Sequence, residues 1–412
     1  MSPRHNHRLS ISLFILLLSA MPCYADQAAF PLLRGLESAV EFWKHIFTRY
    51  GSHEVVFHDP LDPTRIYSVV AIPENEQARA LIERERARII ADFDLREEDN
   101  RVRAQRGIKD RFLSGLKASG RYLKQMQKIF RDEGVPVDLT YLPLVESSFN
   151  LHARSSPGAV GIWQFMPETA KKFMRINKSV DERKDPLAST RTAARLLKEN
   201  HRLLGNWPLA ITAYNHGTEG IQRGVSAVES DNLMDIIRSY ESPTFGFASK
   251  NFYAEFLAAL EVAKNSETYF PALQVHDPVP LDEVEIKRPI TVQSLLKPVG
   301  ISQAEFFSWN PALSPATKQL PPGYRVKLPP EKADRIAAAQ RHVVESAAAK
   351  PTPAVVTRSA QAAPVHHRVS QGETLGKIAK LYRVSVSAIQ KANGLGKGHS
   401  ISAGQRLKIP KA

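Results

Sequence analysis

The chain is 412 residues long, which gives room for two or three domains, each with its own core. Its 43% hydrophobic and 24% charged residues are those of a soluble globular protein, and a single cysteine, Cys23, excludes a disulfide framework. The net charge of +14 reads either as solubility or as attraction to a polyanion, and no zinc-finger spacing or nucleic-acid motif points to a nucleic-acid partner. The first residues set Arg4 and Arg8 before the apolar run LSISLFILLLSAM and then PCYADQ, the pattern of a secretory signal peptide over residues 1–25. The run is too short to cross a bilayer comfortably. Cleavage after Ala25 removes the two arginines, leaving about +12 (14 − 2), and removes Cys23 as well. The rival reading makes Cys23 a lipid-anchored N-terminus, but Met21 and Pro22 stand where such signals carry small residues, so the expected product is exported and unanchored.

Residues 26–135 read as mostly helical. FPLLRGLESAVEFWKHIFTRY is amphipathic, EVVFHDP and RIYSVVAIP form a β-like patch, and NEQARALIERERARIIADFD and GRYLKQMQKIFRDEG are further helices. From Pro136 to Phe270 helical signals dominate again. PETAKKFM begins with Pro167 at a position that tolerates it, STRTAARLLKENHRLLG carries a Ser/Thr cap signal and stops at Gly205, and NWPLAITAYNHG stops at Gly217. Between these helices, GAVGIWQFMP is expected to be an irregular or short β segment.

The last third holds an internal duplication. Val369 matches Ile286, Thr374 matches Thr291 and Asn393 matches Asn310 at one shift of 83 positions (369 − 286), and LKIP then matches VKLP after a two-residue change of offset. Each copy reads strand–helix–helix–strand. The stretch between them, ESAAAKPTPAVVTRSAQAAPV, reads as a flexible linker stiffened locally by proline.

Few residues invite chemistry. Glu146, among Leu144, Val145 and Phe149, loses hydration, and it sits in the last turn of a helix where the dipole disfavours an anion. Both effects favour a neutral acid fit for proton donation, while the plain alternative is an acid on the wet side of an amphipathic helix. Pro143 removes one backbone bond from this helix, which is therefore kinked or starts late. Gln164, beyond Gly158 and Gly161, is either a turn residue or an amide placed for a polar ligand. Tyr214 and Asn215 are either a core tyrosine and a capping residue or a sugar-binding pair. Glu168 follows Pro167 in a first helical turn, where the dipole alone explains an acid, and His152, His216, His366 and His367 show no metal spacing.

Taken in order, VESSFN, GAVGIWQFMPET and AYNHG resemble the soluble lytic transglycosylase family of bacterial cell-wall enzymes over about residues 105–265, and QGETL, IAKLY, VSVSAIQKAN and AGQRLKIP resemble LysM. The resemblance implies a mainly α, lysozyme-like catalytic domain with an N-terminal helical extension, followed by small α+β (βααβ) LysM modules. The boundaries expected are a signal peptide at 1–25, a mostly helical region at 26–104, the catalytic domain at 105–270, a degenerate LysM-like repeat at 281–330, a linker at 331–365 and LysM at 366–410. It further implies cleavage of the β-1,4 bond between N-acetylmuramic acid and N-acetylglucosamine with a 1,6-anhydromuramyl end. Glu146 serves as the one acid and base, and Ser147, Gln164, Met166, Tyr214, Asn215 and Tyr253 contact substrate. FASKNFYAEF offers Phe252 beside Tyr253 for that last role, His216 stands where the family has a smaller residue, and the copy at 281–330 has PIT where LysM has GET.

No cofactor and no metal is implied, and the expected partners are peptidoglycan strands, with LysM on N-acetylglucosamine-containing glycan. The expected protein is a periplasmic monomer, weakly associated with the envelope. A lysozyme-type hydrolase, with Asp181, Glu182 or Asp185 activating water, and a non-catalytic glycan-binding envelope protein are the alternatives.

Overall fold

Six apolar residues on one stripe, Ala39, Val40, Phe42, Trp43, Ile46 and Phe47, make helix Glu37–Thr48 and bury it against helix Phe247–Lys264. Trp43 Nε1 donates to Asn251 Oδ1 at 3.2 Å across that contact. A computed structural model describes residues 29–73, 77–338, 365–396 and 400–410. The expected signal peptide, with Cys23, and residues 339–364 of the expected linker lie outside the described residues. The chain divides into two units near residue 341.

In the first unit the β-like patch forms strands Glu54–His58 and Ile66–Ala71, paired antiparallel with Val55 opposite Val70. A third strand, Arg103–Arg106, completes the sheet on the other side of Glu54–His58. Its sequence RAQR has no apolar alternation to announce a strand, and it runs across the expected boundary at 104. Helix Gln77–Asp92 covers this sheet over a small core of Val55, Phe57, Ile72, Ile89 and Val102.

Helices Lys109–Ser119, Leu123–Glu133, Pro186–Leu204, Trp207–His216, Thr218–Val228, Leu233–Ser239 and Phe247–Lys264 surround the main core, in which Phe112, Phe130, Trp163 and Phe256 are fully buried. Helix Pro186–Leu204 starts earlier than its Ser/Thr signal predicts. Asp185 caps it, accepting from Leu187 N at 3.0 Å and Ala188 N at 2.9 Å, and Pro186 needs no donor in the first turn. Ser189 and Thr190 instead donate back to the carbonyls of Asp185 and Pro186. Gly205, at φ 82°, ends the helix where expected.

The first copy of the duplication closes with strands Asp282–Glu285 and Arg325–Leu328 paired antiparallel, and helices Val292–Leu296 and Gln303–Trp309 between them. Asn310 clamps helix to strand: its amide donates to the carbonyls of Phe306 and Lys327 at 2.9 Å, and its oxygen accepts Lys327 N at 2.8 Å. A helix over 330–338 adds Ala333 and Ile336 to the core of this copy, in a stretch whose alanines read as linker.

This copy is joined to the helical domain. Val180 enters its core, Asp181 N donates to Ala312 O at 2.8 Å, Arg191 reaches Glu283 at 2.6 Å, and buried Lys327 pairs with buried Asp185. In the second unit, strands Val365–Arg368 and Arg406–Ile409 pair antiparallel around helices Leu375–Tyr382 and Val386–Ala392. There Asn393 repeats the clamp, donating to Ile389 O at 2.8 Å and Lys408 O at 2.7 Å. The asparagine shared by the two copies is thus a framework residue. No helix of the described residues is long and apolar enough to cross a membrane.

Truncating Lys327 leaves Asp185 buried without its cation, although the helix cap still holds one carboxylate oxygen. Lys327→Ala is expected to cost about 3 kcal/mol of stability, read from urea unfolding of the purified chain.

Candidate active site

Leu142, Pro143 and Leu144 are buried, and Pro143 lies in the first turn of the short helix Leu142–Glu146, where its missing N–H costs nothing. The helix stops at once. Ser148 and Phe149 both take left-handed conformations, φ 50° and 53°, and the amides of Ser147 and Phe149 both donate to Pro143 O at 3.1 Å. Two consecutive left-handed residues that are not glycine are costly, and buried Phe149 anchors them. Helix Lys109–Ser119 presses on this turn through Gly115, where an added Cβ would lie 2.8 Å from Ser148 O. The turn leaves Glu146 half-buried on the wall of an open groove of about 1110 Å³, with Arg121, Tyr122, Ser147, Asn150 and Gln164 also lining it.

The segment 158–167 forms the adjoining wall. Most of its apolar residues are turned inward: Ile162, Trp163 and Phe165 are buried, Trp163 stacks on Phe130 at 5.7 Å, and its Nε1 donates to Thr190 Oγ1 at 2.9 Å. The glycines shape the turns. Gly161 has φ 82° and lies so close to Arg183 that a Cβ would meet its carbonyl oxygen at 2.0 Å, whereas Gly158 has φ 101° and open space. Val160 bridges to both Arg154 and Phe165, the short β character expected. Buried Arg183, held by Asp181 at 2.9 Å, donates to the carbonyls of Gly158 at 3.0 Å and Phe165 at 3.2 Å and so closes the loop at both ends.

Gln164 is left on the groove side, also left-handed at φ 47°. Its Nε2 faces two carbonyls, Gly161 O at 2.7 Å and Ala153 O at 3.4 Å, so the amide orientation is set by its neighbours. Its Oε1 accepts no hydrogen bond among the described residues. Ser147 Oγ donates to Ile162 O at 2.8 Å and ties the two walls together.

No hydrogen-bond or ion-pair partner faces the Glu146 carboxyl among the described residues. Burial first, and then the negative charge of Glu255, push its pKa up to about 8. Glu255, on helix Phe247–Lys264, is itself raised to about 8 by burial, against the opposing pull of Arg103. Arg103, on the polar third strand of the sheet, lies with its guanidinium 3.9 Å over the ring of Phe247 and is the cation that opposes the rise at Glu255. Sequence reasoning did not find Glu255, although NFYAEFLAAL bears the same signature as Glu146, a lone acid among apolar residues.

Tyr214 is brought to the same place. Its hydroxyl donates to Trp163 O at 2.9 Å, and burial together with the charge of Glu146 holds its pKa well above the usual tyrosine range. Asn215 is exposed and accepts from Ser249 Oγ at 2.9 Å, and Met166, 40% exposed, precedes helix Pro167–Lys171. Tyr253 does not line the groove: it is fully buried and its hydroxyl donates to Pro31 O at 2.9 Å. Phe252 beside it is buried too. The acids considered for water activation hold structure instead. Asp181 binds Arg183, Glu182 accepts Arg175 N at 2.7 Å, and Asp185 caps a helix and pairs with Lys327. No group of three side chains that could hold a metal occurs among the described residues.

Comparison with known proteins identifies two domains. The chain carries a transglycosylase SLT domain over residues 124–234 and a LysM domain over residues 367–410. It is homologous to membrane-bound lytic murein transglycosylase D of Escherichia coli (strain K12), 29% identical over 286 residues that cover 68% of this chain and 61% of that relative. The chain thus spans about three fifths of that relative's length. Among solved structures it is similar to an inactive mutant of lytic transglycosylase Slt from Pseudomonas aeruginosa, with 21% identity, TM-score 0.30, and coverage of 35% of this chain and 24% of that one. The 70 kDa soluble lytic transglycosylase of Escherichia coli matches with 18% identity and TM-score 0.29, over 36% of this chain and 25% of that one. The two domains matched are those the sequence resemblance implies: a helical, lysozyme-like SLT domain and a C-terminal LysM domain.

The two glycines of the loop should differ in their tolerance of a side chain. Gly161→Ala forces a backbone clash and is expected to cost about 3 kcal/mol. Gly158→Ala meets only the left-handed strain, about 1–2 kcal/mol. Thermal unfolding of the two variants in parallel checks the order.

Proposed function

We propose that this chain, with its SLT and LysM domains, is a peptidoglycan lytic transglycosylase that cleaves the β-1,4 bond between N-acetylmuramic acid and N-acetylglucosamine. The observation that carries this reading is the Glu146 carboxyl, raised to about 8 on the wall of an open groove. A carboxyl desolvated without a partner stabilises nothing in the fold, and it suits proton donation.

In the proposed reaction neutral Glu146 gives its proton to the glycosidic oxygen as the bond from that oxygen to C1 of N-acetylmuramic acid breaks. The carboxylate then takes the proton of the C6 hydroxyl of the same sugar while O6 bonds to C1. Glu146 ends protonated as it began, and the products are a 1,6-anhydromuramyl end and a free 4-hydroxyl on N-acetylglucosamine. The nucleophile is already part of the substrate, so its attack has the advantage of an intramolecular step. The same desolvation that keeps Glu146 neutral makes its anion a capable base. The commitments of Asp181, Glu182 and Asp185 favour this route over hydrolysis, since none of them lines the groove.

In this reading Gln164 meets the glycan through its Oε1, which accepts no hydrogen bond among the described residues, and the exposed Asn215 and Met166, which do not line the groove, contact the strand outside it. Tyr214 and Ser147 hold the walls around Glu146. Tyr253 packs beneath the site and does not touch substrate. The LysM unit and the positive net charge keep the enzyme on its polymer, raising the local concentration of glycan. Export by the N-terminal segment would place the enzyme in the periplasm as a monomer, without cofactor.

Digestion of purified peptidoglycan followed by mass spectrometry tests the chemistry. Muropeptides lighter by one water than hydrolysed ones, lost in Glu146→Gln, are expected. Hydrated ends would mean a hydrolase, and wall binding without soluble products a binding protein. The pH profile adds a second test. Glu146 must be protonated to start, so turnover should hold below about pH 8 and fall above it. Glu255→Gln removes the neighbouring negative charge, lowers the Glu146 pKa and should move that fall to lower pH.

A further inference from the structure

We propose that the first repeat extends the groove, so that a further saccharide unit of the glycan strand lies against Trp309 in the cleft between the repeat and the helical domain. The proposal rests on the transglycosylase reading and adds to it a binding role for a repeat whose own sequence departs from LysM.

A second cavity of about 240 Å³ lies where the two meet. Helix Gln303–Trp309 of the repeat contributes Ser308 and Trp309, and the helical domain contributes Arg121, Tyr122, Gln125 and Leu187. Arg121 and Tyr122 also line the groove that holds Glu146, so one wall runs from the candidate acid to the repeat. A polymer bound across Glu146 must leave the groove, and along this wall it meets Trp309.

The cavity has the chemistry that a sugar needs. Tyr122 and Trp309 are half-buried, so each offers part of a ring to the apolar C–H face of a pyranose. Around them stand polar groups for hydroxyl and acetamido substituents, exposed Arg121 and exposed Ser308, while the buried Asp185–Lys327 pair, already satisfied, forms part of the cavity floor. Gln125 uses its Nε2 on Leu281 O at 3.2 Å, which leaves its Oε1 to accept.

The cleft is also held in shape. Gly120 comes so close to the returning chain that a Cβ would lie 2.3 Å from His276 O, and His276 N donates to Lys117 O at 2.9 Å. Val279 N then donates to Arg121 O at 3.3 Å, on the residue shared by both cavities. With Val180 in the core of the repeat and Arg191 on Glu283, the repeat is fixed as a wall of the groove. A preformed site of this kind binds without the cost of ordering a loop.

Glycan strands separated by length test this with the full chain. The quantity to read is the ratio of kcat/KM on long strands to that on the shortest strands cut. Trp309→Ala is expected to lower the ratio by about fivefold or more, through KM on long strands, and Trp309→Phe to restore most of it. Trp309 also packs on the core of the repeat, so Ser308→Arg provides a second route: it blocks the cavity from an exposed position and should lower the ratio equally. An unchanged ratio in folded Ser308→Arg and Trp309→Ala, with anhydro ends still formed by the unsubstituted chain, would overturn the extended groove alone. Failure of the unsubstituted chain to form anhydro ends would overturn the transglycosylase reading and this inference with it.

Discussion

Desolvation of a single carboxyl organises the candidate site. Among the described residues Glu146 gains no donor in exchange for its lost water, and its acidic neighbour Glu255, whose charge opposes ionisation of Glu146, offers no compensating cation. Such an arrangement persists only where the surrounding structure leaves the chain no alternative. Here the constraint comes from buried Leu142, Leu144 and Phe149 on either side, from two left-handed residues in succession, and from Gly115 holding a helix against their backbone. The hydroxyl of Ser147 then fastens this turn to a loop that Arg183 closes at both ends. Rigidity in the backbone is what allows one side chain to remain unsatisfied.

Electrostatic control reaches further than the groove. Arg103 belongs to an edge strand of the small N-terminal sheet, yet its charge opposes the rise at Glu255, which in turn raises Glu146. The N-terminal region, silent in motif terms, thereby bears on the acid through two charges. At the other end of the first unit, the Asp185–Lys327 pair joins the cap of a central helix to the last strand of the first repeat. The repeat keeps the strand–helix–helix–strand plan of its partner copy and the same asparagine clamp, but it serves as part of the helical body.

Features that depend on local pattern were legible in the sequence. Helical periodicity located most helices, Gly205 and Gly217 marked their ends, and the three ordered motifs placed Glu146, Gln164 and Tyr214 together. Features that depend on long-range packing were not. Strand Arg103–Arg106 is polar and exists because Glu54–His58 offers it an edge. Tyr253 and Phe252 are adjacent on one helix, and no pattern in FASKNFYAEF shows that both turn into the core. Asp185 outcompetes the more conspicuous serine and threonine as a cap because Pro186 follows it. Glu255 carried a readable signal, an acid in an apolar run, but only the fold puts it beside Glu146.

Glu146 is neutral at neutral pH because its half-buried carboxyl is desolvated and Glu255 opposes its ionisation. The direct measurement is the titration of its side-chain carboxyl by carbon-detected NMR of glutamate-labelled protein, assigned by loss of the signal in Glu146→Gln. A midpoint near 8 is expected, whereas a midpoint near the ordinary glutamate value of 4.5 would mean that the proposed proton donor is ionised when it is needed.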